Sequence, residues 1–116
     1  MIAPARVAAF HALRAIDAGR LNLPAALAES RRRLSDERDR ALALDVVTGT
    51  LRWRRALDYA LAQMARRPAD RIEPDVLTVL RLSAYQLLHL DRVPASAVVD
   101  DGVDLAREAR DRKSTL

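Results

Sequence analysis

The stretch PDVLTVLRLSAYQLLH, residues 74–89, decides the fold. Val76, Leu77, Val79, Leu80, Leu82, Ala84, Tyr85, Leu87 and Leu88 leave it almost no polar face, so it reads as a helix at the centre of a helical bundle. Pro74 suits a first helical position, where its missing N–H has no partner to lose. No apolar run in the chain approaches the roughly 18 residues of a membrane span, and the N-terminus lacks the charged and apolar regions of a signal peptide. A cytoplasmic protein without membrane contact is the expectation.

Working outward, Asp91, Arg92, Val93 and Pro94 make a turn, and Pro94 opens a further helix through Val98, Val99, Gly102, Val103, Ala106 and Ala109. On the other side, Pro68, Ala69 and Asp70 form a polar loop that divides two helical subdomains, about 1–67 and 72–116, of a single domain. In the first of these, Pro4 starts a helix that ends at Ala18, with Gly19 as the residue that turns the chain out. Ala9, Ala12, Leu13 and Ile16 share one face, with Phe10 at its edge and Arg6 and Arg14 flanking it. Asn22 and Pro24 announce a second helix, about Leu23 to Arg33, closing on Arg31, Arg32 and Arg33, where cations complement the helix dipole.

Ser35 before Asp36, Glu37 and Asp39 predicts a capped third helix running to about Leu51, with Ala41, Leu44, Val47, Thr48 and Leu51 as its buried stripe. Arg38, Asp45 and Arg52 line up beside that stripe. Asp45 reads either as a solvated carboxylate or as a bridge between arginines near Gly49, whose bare Cα permits close approach of a second backbone. Arg52 to Arg55 form a junction into a fourth helix carrying Leu57, Leu61 and Met64 and ending near Arg66. The whole reads as all-α, which the abundance of Ala, Leu and Arg favours locally.

Composition excludes much chemistry. With no cysteine, disulfides, thiolate ligands and a thiolate nucleophile are absent, in keeping with a reducing compartment. Only three glycines occur, none in a phosphate loop, and His11 and His89 sit on different helices without a metal-ligand pattern. Asp100, Asp101 and Asp104 cluster on the last helix, but nothing supplies the pocket that acid–base work would need. No catalytic residue, metal or cofactor is expected in this chain.

Charge is the remaining signal. The formal net charge is +4. Residues 1–67 carry 13 Arg against 7 acids, whereas residues 68–116 carry 7 cations against 9 acids. Codon bias accounts for Arg outnumbering Lys, but not for a surplus confined to one half, which points to an anionic partner. Candidate contacts are Arg6, Arg14, Arg31, Arg32, Arg33, Arg52, Arg54 and Arg55, since guanidinium pairs with phosphate and stacks on exposed bases. Trp53 is either a stacking platform among these arginines or a core residue at the helix junction.

At these residues a resemblance becomes specific. Val47 to Asp58, VTGTLRWRRALD, resembles the G-x-L-R-W-R-x-x-L-D segment of the NusB-like domain that precedes the catalytic domain of ribosomal-RNA 5-methylcytosine methyltransferases of the Sun/Fmu type. Leu80 to Leu88, continuing to Val93-Pro94-Ala95 and Val103-Asp104-Leu105-Ala106, resembles the family's L-R-x-x-x-Y-Q-L-L … P … V-x-L-A pattern, and Arg6 and Ala9 match an R-x-x-A opening. The resemblance implies two packed helical subdomains and RNA binding, either beside a methyltransferase domain or, as in NusB, in transcription antitermination with a small-subunit ribosomal protein. It departs at Asp100-Asp101, where the family usually has Asn-Glu, and it implies a closing helix beyond Leu116. The S-adenosylmethionine loop and catalytic Pro-Cys motif of such enzymes are absent from the sequence and would belong to a downstream domain. The alternative from a different class is a protein-interaction module docking a ribosomal protein or that following domain.

Overall fold

The computed structural model describes residues 1–114 and contains, among them, six α-helices and no strand. They are α1 (Pro4–Asp17), α2 (Leu23–Arg33), α3 (Glu37–Arg52), α4 (Arg54–Ala65), α5 (Pro74–His89) and α6 (Ala95–Ser114), with a 3-10 turn at Ala69–Arg71. The all-α expectation holds, and each helix begins and ends within a few residues of its expected bounds. No described helix is long and apolar enough to cross a membrane.

Local chemistry sets the ends. Gly19, at φ 73°, turns the chain out of α1, with the Gly19 N–H donating to Ile16 O (3.0 Å) and the Arg20 N–H to Ala15 O (3.0 Å), the paired bonds of a Schellman cap. Asn22 caps α2 by accepting from the Ala25 N–H at 3.0 Å. The cap of α3 is Asp36, accepting from the Arg38 N–H at 2.7 Å, and not Ser35 as expected. Asp outcompetes the serine one position earlier because its charged oxygen also meets the positive end of the helix dipole. Between α2 and α3 the Arg40 guanidinium donates to the carbonyl of Leu34 at 2.8 Å, closing the turn.

One core joins Phe10 and Leu13 of α1, Ala26 of α2, Val46 and Val47 of α3, Val79 and Leu82 of α5, and Leu105 and Ala109 of α6. The stripe expected for α3 is displaced: Leu44 is 50% exposed and Ala41 is also exposed, while Ala43, Val46, Val47, Gly49 and Thr50 are buried. The helix is rotated so that its small residues meet α1 and α5, and close backbone approach takes the place of leucine burial. In α4, Leu57 and Leu61 are buried but Met64 lies in solvent. Leu80 and Leu87 on α5, with Val99 and Val103 on α6, leave an exposed apolar strip along the α5–α6 pair.

Candidate nucleic-acid interface

The structure sorts the eight candidate arginines into three groups. Arg6 lies in the interior, its side chain 7% exposed, with Nη1 donating to Asp101 Oδ2 at 2.8 Å and Nε to Gln86 Oε1 at 2.9 Å. The same Asp101 oxygen accepts from the Ala3 N–H, so one carboxylate of α6 anchors the start of α1. Arg14 joins α1 to α5 through Asp75 (2.5 Å) and is only partly exposed. Both side chains are committed inside the fold, and Arg6 cannot reach a ligand at the surface. On a helical wheel they flank the apolar stripe, but their partners lie in distant sequence, where a wheel does not look.

Arg54 stands between. It pairs with Asp17 at 3.0 Å, and Asp17 also meets Arg81, whose guanidinium grips Asp58 with bonds of 2.6 and 2.8 Å. This network ties α1, α4 and α5 together. The third group is at the surface: Arg31 pairs with Glu37 and Arg32 with Glu29, both exposed pairs, while Arg33, Arg52 and Arg55 are exposed and make no ion pair among the described residues.

Trp53 is the only residue between α3 and α4, at φ −97° and ψ 12°, and this one-residue junction turns its indole outward. It is 43% exposed, so it is not a core residue. Its ring stacks on His89 at 4.8 Å and 22°, and His89 stacks in turn on Tyr85 at 5.2 Å and 23°. Tyr85 is fixed from below by two contacts. Its hydroxyl donates to Asp45 at 2.6 Å, so that carboxylate holds the tyrosine and is not the bridge between arginines that its place beside Arg38 and Arg52 suggested. Its ring also lies so close to Gly49 that a Cβ there would stand 2.0 Å from Tyr85 Cζ. Burial, together with the bond to Asp45, pushes the Tyr85 hydroxyl up to about 12.

The result is a stepped aromatic column, anchored inside by Asp45 and Gly49 and ending in an exposed indole. Beside it runs a groove of about 810 Å³ whose lining includes Arg38, Asp45, His89 and Arg92. Arg38 and Arg92 are exposed and make no ion pair among the described residues, and Arg52 is close enough to act electrostatically on Tyr85. Cations beside a stacked aromatic edge are the elements of single-stranded nucleic-acid recognition. The sequence reading found Arg52 and Trp53 but missed His89, Tyr85, Arg38 and Arg92. The i, i+4 spacing of Tyr85 and His89 was the available signal. Among the described residues no group of three metal-ligating side chains occurs.

Residues 3–115 match the NusB family. The ribosomal RNA small subunit methyltransferase B of Pseudomonas putida is 37% identical over 101 residues, covering 87% of this chain and 23% of that protein. The transcription antitermination protein NusB of Coxiella burnetii is 39% identical over 75 residues, covering 65% of this chain and 54% of that protein. The chain thus spans about a quarter of the first relative and about half of the second. No solved structure matches it. The residues that carried the resemblance are largely those that hold the helices together: Gly49 against Tyr85, Arg6 with Gln86, and Arg81 with Asp58. With the match running almost end to end, the chain belongs to the NusB family.

Proposed function

We propose that the chain is a non-catalytic RNA-binding domain that engages a single-stranded or looped RNA through the Trp53–His89 edge and the groove beside it. The stacked, outward-facing Trp53 carries this reading: an exposed indole keeps apolar surface in water at a cost that a covering partner removes, and a base is the partner its cationic neighbours favour. Arg38, Arg52 and Arg92 would meet phosphates, and Arg55 and the Arg31 to Arg33 run would extend the basic surface. Arg6, Arg14 and Arg54 are positioning residues of the fold. Both relatives are named for events on RNA, ribosomal RNA methylation in one and transcription antitermination in the other, which supports a cytoplasmic RNA partner here. Any S-adenosylmethionine chemistry is assigned to no residue of this chain.

A titration at several salt concentrations tests it. Replacing Arg38, Arg52 and Arg92 together with Gln should leave helical circular dichroism unchanged, because exposed Arg→Gln changes cost little helix propensity. Affinity for a ribosomal-RNA hairpin with a single-stranded loop should fall at least about tenfold, which requires only about 1.4 kcal/mol. The slope of log K against log salt should flatten by roughly two, from about 0.7 per phosphate contact on single strands. A folded variant with the parent's affinity and slope would remove these arginines from the interface. The exposed strip of Leu80, Leu87, Val99 and Val103 favours a second role in docking a protein, such as a ribosomal protein or a following methyltransferase domain.

A further inference from the structure

A second cleft lies between α1 and α2, on residues that the aromatic column does not use. Its volume is about 390 Å³. The space exists because the two helices meet through Ala8, Ala12, Ala15 and Ala26, none of which has the bulk to fill it. The polar lining is His11, Arg20, Glu29, Ser30 and Arg33.

Three observations give this lining a chemical sense. Arg20 and Arg33 make no ion pair among the described residues, and the one carboxylate of the cleft, Glu29, is already held by Arg32 at 2.5 Å. Ser30 is 4% exposed as a residue, and its side chain lines the cleft, where its hydroxyl can donate to a bound group. Finally, His11 is held below its ordinary 6.5 by burial and by the positive charges of Arg33, Arg112 and Arg20. The cleft therefore has surplus positive potential, a hydroxyl donor in its lining, and room for a tetrahedral anion.

We propose that this cleft binds a phosphate group, gripped by the guanidiniums of Arg20 and Arg33 and the imidazole of His11, with the Ser30 hydroxyl donating from the wall. Guanidinium recognises phosphate oxygens in a forked geometry that a hydroxyl donor complements. The proposal does not rest on RNA binding at Trp53. The phosphate could be that of an RNA backbone or a free one, and the two sources are separable.

The groups facing His11 are Arg20, Glu29 and Arg33 around the cleft and Arg112 from α6. A bound phosphate offsets the arginine charges and favours the protonated imidazole, so the His11 midpoint must rise on binding. The experiment follows the His11 ring resonance by NMR, assigned with His11→Gln, as inorganic phosphate is titrated against sodium chloride of equal ionic strength. The expected result is a saturable shift specific to phosphate and a raised His11 midpoint. Arg20→Gln and Arg33→Gln, both at exposed positions, should each weaken phosphate at least about fivefold with helical content unchanged. A response no larger than that to chloride, or one that survives in the folded double variant, overturns the proposal. If a single-stranded RNA oligonucleotide moves the same resonance, the RNA backbone supplies the group; if only inorganic phosphate does, the ligand is a free phosphate. Trp53 emission recorded in the same RNA titration reports the other surface separately, so either reading can fail alone.

Discussion

Asp101→Ala should lower the stability of the domain by about 3–5 kcal/mol, because it leaves the Arg6 guanidinium buried without its counter-charge. For a domain of this size that is a fall in Tm on the order of 15 °C. Two further losses act in the same direction. The Ala3 N–H loses its acceptor, so the first turn of α1 is freed, and Gln86 remains as the sole partner of Arg6. Replacing both Arg6 and Asp101 with Leu should recover much of the loss, since a buried ion pair and a well-packed apolar pair are often close in free energy. Thermal and denaturant melts of the two variants check this. An Asp101→Ala protein that melts with the parent would mean that Arg6 finds water, and that the interior pair does not hold α1 to α6.

The second large effect is expected at Gly49. Helix propensity alone favours Gly49→Ala by about 1 kcal/mol. The added Cβ, however, would stand 2.0 Å from the Tyr85 ring, so the ring must leave its place or the helices must separate. Overpacking typically costs about 1–3 kcal/mol, and loss of the hydroxyl's bond to the Asp45 carboxylate adds about 1.5–3 kcal/mol. A net destabilisation of roughly 2–4 kcal/mol should result. In a Tyr85→Leu background the same substitution should cost far less, and that coupling identifies the contact.

The displaced ring also changes the alkaline limb of stability. In the parent, a folded value near 12 against an ordinary 10 means that Tyr85 favours the native state fully below about pH 10 and that this contribution is lost as pH rises toward 12. In Gly49→Ala the tyrosinate absorbance assigned to Tyr85, by difference from Tyr85→Phe, should appear closer to the ordinary range and the alkaline limb should flatten.

Much of the architecture was legible in the sequence because the signals were local. Pro4, Asn22, Pro74 and Gly19 mark helix ends through backbone constraints that hold whatever surrounds them. The apolar run of α5 could be little else than a central helix. Long-range facts were out of reach. Ala41 and Leu44 made a plausible stripe for α3, yet the face buried is that of Ala43, Val46 and Gly49, because α3 packs by close approach and an apolar count rewards bulk.

The basic site was half legible for the same reason. An arginine at the rim of an apolar stripe looks alike whether it meets solvent or a carboxylate 95 residues away, as Arg6 does. Trp53 could be found but not oriented, since its exposure follows from a one-residue junction, and its support comes from His89 on another helix.

Trp53 is the single tryptophan of the chain, so its own fluorescence reports on the proposed interface. Titrating a single-stranded RNA into the parent protein should quench and shift this emission saturably, with the same midpoint as RNA anisotropy. Trp53→Ala should keep its helical content while affinity falls by about 1–3 kcal/mol, the stacking free energy of one base. RNA that binds with unchanged Trp53 emission, and with equal affinity for Trp53→Ala, would contradict the account.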